Sequence, residues 1–203
     1  MATVFMIIAF IIALAVHEFA HAWSAQLLGD NTARSSGRMT LNPLAHIDPF
    51  GTILLPALLI LARFPVVFGW AKPVPVNPAN FASPRKGMMI TSAAGPIANF
   101  VAAGIFAVFL NAAVNGVLFF PELGLLFFYG VLINVVIGLF NLIPIPPLDG
   151  SNIVAGILPP AAAANYMKLS RYGFLILIAL LYLGFFERVL RPLLALIMGF
   201  FVR

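Results

Sequence analysis

The stretch "MATVFMIIAFIIALAVHEFAHAWSAQLLGD", residues 1–30, decides how the rest of the chain is read. Its first fourteen residues carry no charge and read as the opening of a membrane helix, yet two histidines and a glutamate follow within residues 17–21. Positions i and i+4 of a helix lie about 40° apart around the axis and about 6 Å apart along it. His17 and His21 therefore face the same way, a spacing that lets two imidazoles bind one metal ion. Glu18, about 100° around the helix from His17, can reach a water held at that ion without occupying a coordination site. H-E-x-x-H recurs in zinc hydrolases for this reason: the metal lowers the pKa of water and the glutamate takes its proton. The bland alternative is a set of polar groups hydrogen-bonded to neighbouring helices with no metal.

The surrounding composition fixes the solvent. Of 203 residues 63% are hydrophobic and 8% charged, against roughly 25% charged in an ordinary soluble domain. Such a chain belongs in a membrane, and no polar stretch is long enough for a separate soluble domain, so residues 1–203 are expected to form one membrane-embedded domain. Its catalytic core would span about residues 1–150 and its C-terminal helices about residues 170–203. No Lys or Arg precedes Arg34, so the first segment lacks the basic region of a cleaved signal peptide and is expected to stay. The absence of cysteine excludes disulfides and thiolate metal ligands. A net charge of +5 is the excess expected of cytoplasmic loops and calls for no nucleic-acid partner.

Working outward, the first segment runs from about Thr3 to Leu28 and stops at Gly29-Asp30. "GRMTLNPLAHIDPFG" follows, rich in turn residues, with Met39, Thr40 and Leu41 as a short strand. "TILLPALLILA", residues 52–62, is apolar but short for a crossing. If it crossed, basic residues would fall on both sides of the membrane, so it is expected to dip in and return. "FGWAKPVPVNPANFASPRKG" is Pro-rich and extended. Spans from Met88 to about Val114 and over residues 123–143 come next, separated by an outward loop with Glu122. A polar stretch reaches Arg171, and apolar runs 172–186 and 189–202 make one or two C-terminal crossings. The expected fold is thus all-α and polytopic: three core transmembrane helices, a re-entrant segment and short β-strands on the cytoplasmic side. This topology brings "NLIPIPPLDG", residues 141–150, to the membrane face where the first helix carries its histidines.

Two histidines do not complete a catalytic zinc site, which usually has three protein ligands and an open position. His46, Asp48 and Asp149 are the available third ligands. Asp149 lies at the break after the third span, where a carboxylate can turn back toward the histidines. An aspartate before glycine is also a common turn residue. His46 and Asp48 read more readily as loop caps.

Three blocks, "HEFAH" at 17–21, "GPIAN" at 95–99 and "NLIPIPPLDG" at 141–150, resemble those of the site-2 proteases, intramembrane zinc metalloproteases, and occur in that family's order. "GRMTLNPLAHIDPFGT" and "FGWAKPVPVNP" further resemble a compact branch without a PDZ domain. The resemblance implies one zinc ion per chain bound by His17, His21 and Asp149, with Glu18 as general base. It also implies that Asn99 and Asn141 orient substrate or stabilise the oxyanion. Interhelical hydrogen bonding would equally account for these two asparagines. The implied activity is hydrolysis of peptide bonds within or near transmembrane segments of membrane proteins, with the active site toward the cytoplasm and the lipid bilayer as surroundings. Substrate could be held by strand addition at "RMTL" or "PVPV", and self-association into a homo-oligomer is compatible with the sequence. The chain departs from the family in having no PDZ-like insertion and in Ala20, where many members have Gly. A metal transporter or a silent member with structural zinc is the alternative, although the chain has no repeated halves of the kind transporters carry.

Overall fold

A computed structural model describes residues 1–62, 69–117 and 123–202. Glu122 and the loop residues 118–121 before it lie outside the described residues. The first helix, α1, covers Ala2–Leu27, and a single turn, α2, covers Thr32–Ser35. A 3₁₀ turn at Pro43–His46 and a π turn at Pro49–Leu54 lead into α3, Leu55–Leu61. The long helix α4, Pro84–Val114, is followed by α5, Leu123–Asn141. Three short helices follow: α6, Asp149–Ile157; α7, Pro160–Met167; and α8, Gly173–Tyr182. A π turn at Phe186–Leu190 leads into the last helix, α9, Arg191–Phe201. α1, α4 and α5 are long and apolar enough to cross a membrane, as the three sequence spans require. α4 starts four residues earlier than its apolar run because Pro84 at its first turn costs no hydrogen bond.

These three helices pack closely because their shared faces are small. The buried face of α1 is Ala9, Ala13, Ala15, Ala20, Ala22, Ala25 and Ser24, apart from His17 and Glu18. α4 contributes Gly95, Ala102, Ala103 and Ala107, and α5 contributes Gly130 and Gly138. In lipid, where no water is expelled when helices meet, such small-residue seams bring backbones together. A larger apolar cluster of Ala103, Ala107, Leu110, Val131 and Val135 lies between α4 and α5, and Leu194, Ile197, Met198 and Phe201 of α9 cover it. The C-terminal apolar runs form a broken pair: Pro160–Tyr182 and Phe186–Phe201 meet at 70°. The bend lies at Gly184, whose φ of 74° few other residues adopt.

Gly51 and Trp70, which flank the segment expected to dip and return, lie together, and residues 63–68 between them lie outside the described residues. The Trp70 N–H donates to the Gly51 carbonyl at 3.1 Å, and the Thr52 hydroxyl donates to the Trp70 carbonyl at 2.8 Å. A side chain at Gly51 would collide with the Trp70 indole, so the two ends touch.

The expected short β-strands are not formed: no strand occurs among the described residues. Residues 39–41 make a bend, and the Pro-rich stretch is extended but unpaired. The reason lies in its donors. Pro73 and Pro75 have none, while the N–H groups of Lys72, Val74 and Asn77 go to the His46 carbonyl, the Glu18 carboxylate and the Asp30 carboxylate. No ladder remains for "RMTL" or for a substrate to join at these groups. The polar stretch before Arg171, which shows no apolar run, contains the short helices α6 and α7.

Candidate metal centre

The histidines sit on the buried face of α1, with His17 4% and Glu18 8% exposed. α4 passes directly over them at Gly95, where an added Cβ would lie 2.5 Å from His21 Nε2 and 2.7 Å from His17 Cε1. Only glycine lets the second helix approach the imidazoles this closely. One residue on, Pro96 removes the N–H that would otherwise bond the Ser92 carbonyl, loosening this part of the helix. The neighbouring Thr91 carbonyl accepts from His21 Nδ1 at 2.7 Å.

The protonation of both rings follows from their partners. Asn134 Nδ2 donates to the Gly130 carbonyl at 2.8 Å, which turns its Oδ1 toward Asn99. Asn99 Nδ2 donates both to that oxygen, at 2.8 Å, and to the Ala13 carbonyl, at 3.0 Å. Asn99 Oδ1 therefore faces His17 Nδ1 at 2.6 Å and can only accept. Each Nδ1 thus faces an acceptor and carries a proton, which leaves the two Nε2 atoms, 3.0 Å apart, as the nitrogens able to hold a metal ion.

The third group of the cluster is Asp149, the first residue of α6. A Cβ at Gly150 would run into the Leu142 and Ile143 carbonyls, so this glycine lets α6 tuck against the end of α5 and turn Asp149 toward α1. Asp149 Oδ2 lies 3.1 Å from His17 Nε2 and 3.3 Å from His21 Nε2. That oxygen is buried and has no hydrogen-bond donor. Two imidazole nitrogens and a carboxylate oxygen this close together are an arrangement that a cation can gather. Ligands about 2.0–2.1 Å from a tetrahedral zinc are about 3.3 Å apart, so the observed separations and the nitrogen and oxygen donors fit that ion.

Glu18 accepts from the Val74 N–H through Oε2 at 3.0 Å. Asn141 bonds back to the Ile137 carbonyl of its own helix. Both amide protons of the fully buried Asn99 are taken by protein oxygens. Asn134 escaped the sequence reading; its signal is an asparagine alone in the apolar run "GVLINVVIGLF". His46 contacts the Thr40 carbonyl, and Asp48 caps the turn at Phe50 and Gly51. Asp30, fully buried just beyond α1, accepts from Thr32, Asn77 and Asn80. Burial pushes its carboxyl up, but bonds from Thr32, Asn80 and Asn77 outweigh this and hold it below the usual carboxylate range.

Residues 118–183 match the family described as Peptidase family M50. A Bacillus subtilis (strain 168) protein named "Putative zinc metalloprotease YwhC" is 38% identical over 195 residues, covering 94% of this chain and 85% of that protein. "Putative zinc metalloprotease Rip2" of Mycolicibacterium smegmatis is 30% identical over 182 residues, covering 88% of this chain and 66% of its own length. Its namesake in Mycobacterium tuberculosis (strain H37Rv) is 28% identical over 181 residues, covering 87% and 66%. No solved structure matches. Apolar helices and these likenesses together define a zinc-dependent metalloendopeptidase with membrane-spanning helices. The chain belongs to peptidase family M50, the site-2 proteases.

Proposed function

We propose that this metalloprotease acts inside the membrane, hydrolysing peptide bonds within or near transmembrane segments of membrane proteins. The observation that carries the reading is the convergence of His17, His21 and Asp149 on the face of a membrane-length helix, with Glu18 beside them. His17, His21 and Asp149 would hold the zinc ion. When bound, zinc supplies Lewis acidity that makes water nucleophilic near neutral pH and stabilises charge on a carbonyl oxygen. Glu18, which is not among the three clustered ligands, takes the proton from the attacking water and returns it to the departing amine.

Asn99 serves His17 rather than the substrate. It fixes the tautomer by accepting from Nδ1, and Asn134 fixes Asn99 in turn. A transmembrane substrate must unwind before cleavage, since a helix commits its amides to internal hydrogen bonds. The cytoplasmic side is favoured by charge. Arg34 and Arg38 follow α1, Arg85 and Lys86 open α4, and Arg85 bonds carbonyls at the end of α6, which gathers these cations at the end of the molecule that holds the site.

Replacing Glu18 by Gln tests the reading on purified protein with a tagged single-span substrate. The variant keeps one zinc per chain and loses cleavage by about 100-fold or more. Cleavage at the unsubstituted rate would remove Glu18 from the chemistry and the proposal with it.

A further inference from the structure

A general base that is not a metal ligand has a problem of orientation. Nothing on the metal fixes its carboxylate, and a glutamate side chain turns about three bonds. Here the answer lies outside α1, in the extended residues 70–77. We propose that Val74 is a positioning residue of the hydrolytic site, its backbone N–H holding the Glu18 carboxylate in one orientation. This rests on Glu18 being the base.

In Pro73-Val74-Pro75 only Val74 has a backbone donor, and that donor points at Glu18 Oε2, 3.0 Å away. Hydrogen bonds to a carboxylate are shorter and stronger than neutral ones. A carboxylate accepts at two oxygens, so one can be held while the other takes a proton.

The strap is held in register on both sides of Val74. Before it, the Lys72 N–H donates to the His46 carbonyl at 2.9 Å, and the buried Arg38 guanidinium donates to the Lys72 carbonyl at 2.6 Å. After it, the Asn77 N–H and the Asn80 side chain donate to Asp30 at 2.8 and 2.7 Å. Asp30 is itself tied to α1 by its N–H on the Ala25 carbonyl. Base and strap are thus referenced to one helix. This gives Arg38, His46 and Asp30, none of which belongs to the cluster of His17, His21 and Asp149, a common purpose.

The test compares Val74→Pro, which deletes the N–H, with the conservative Val74→Ala, which retains it, beside Glu18→Gln in the same full-length protein. Val74→Pro keeps its zinc, loses about 10–100-fold in kcat and changes KM by less than about threefold, while Val74→Ala rescues kcat. Equal kcat for the two Val74 variants, or an effect confined to KM, overturns the proposal. If Glu18→Gln still turns over, the base assignment itself fails, a separate outcome. A second readout needs no Val74 variant: in ¹⁵N-labelled protein in micelles, Glu18→Ala moves the Val74 amide proton upfield and leaves that of Asn77 in place. A Val74 resonance that does not move refutes the bond.

Discussion

Asn99 has no charge and touches no substrate in this account, yet it decides which nitrogen of His17 is free. Replacing it by Ala removes the acceptor from the Nδ1 proton and leaves the Ala13 carbonyl and Asn134 Oδ1 without their donor. Loss of such an orienting partner typically costs about 10–100-fold in metal affinity. The expected result for Asn99→Ala is a zinc affinity lower by that factor, measured by competition with a chromophoric chelator; an unchanged affinity would make Asn99 a helix contact only. At this scale His17, Glu18 and His21 were legible because their spacing alone sets their directions on a helix. The part played by Asn99 was not. An asparagine can donate or accept at the same position, and only the carbonyls of Ala13 and Gly130, brought in from other turns, orient the pair.

Among the elements, α4 carries the tightest requirement. A methyl group at Gly95 would press on both imidazoles, whereas one at Gly138 would meet the Phe100 ring at 3.1 Å, with neither imidazole among its nearest neighbours. Gly95→Ala is therefore expected to lose zinc while the helices remain assembled. Gly138→Ala should keep zinc and lower the melting temperature, with a cost of about 1–3 kcal/mol for overpacking. Zinc content and thermal unfolding of the two proteins check this, and full zinc occupancy in Gly95→Ala would show that α4 can move aside. The long helices were readable from apolar length. The strands were misread because residues 39–41 bend, and because the N–H groups of Lys72, Val74 and Asn77 in the extended stretch go to groups far away in sequence: His46, Glu18 and Asp30. The helices α6 and α7 lack the long apolar run on which the spans were recognised.

For the molecule as a whole, the fold exists to bring residue 149 to residues 17 and 21. The first span supplies two imidazoles, the second closes over them at Gly95, and the third ends in a turn that delivers the carboxylate. Cysteine is absent, so any strongly bound zinc must be held by nitrogen and oxygen. The most direct measurement is X-ray absorption at the zinc edge on purified, full-length Glu18→Gln protein, repeated with Asp149→Ala added. The expected spectrum is one zinc per chain with two imidazoles and a carboxylate oxygen at about 2.0–2.1 Å, and loss of the ion or of that oxygen in the double variant. A spectrum lacking imidazole, or one that Asp149→Ala leaves unchanged, would contradict it.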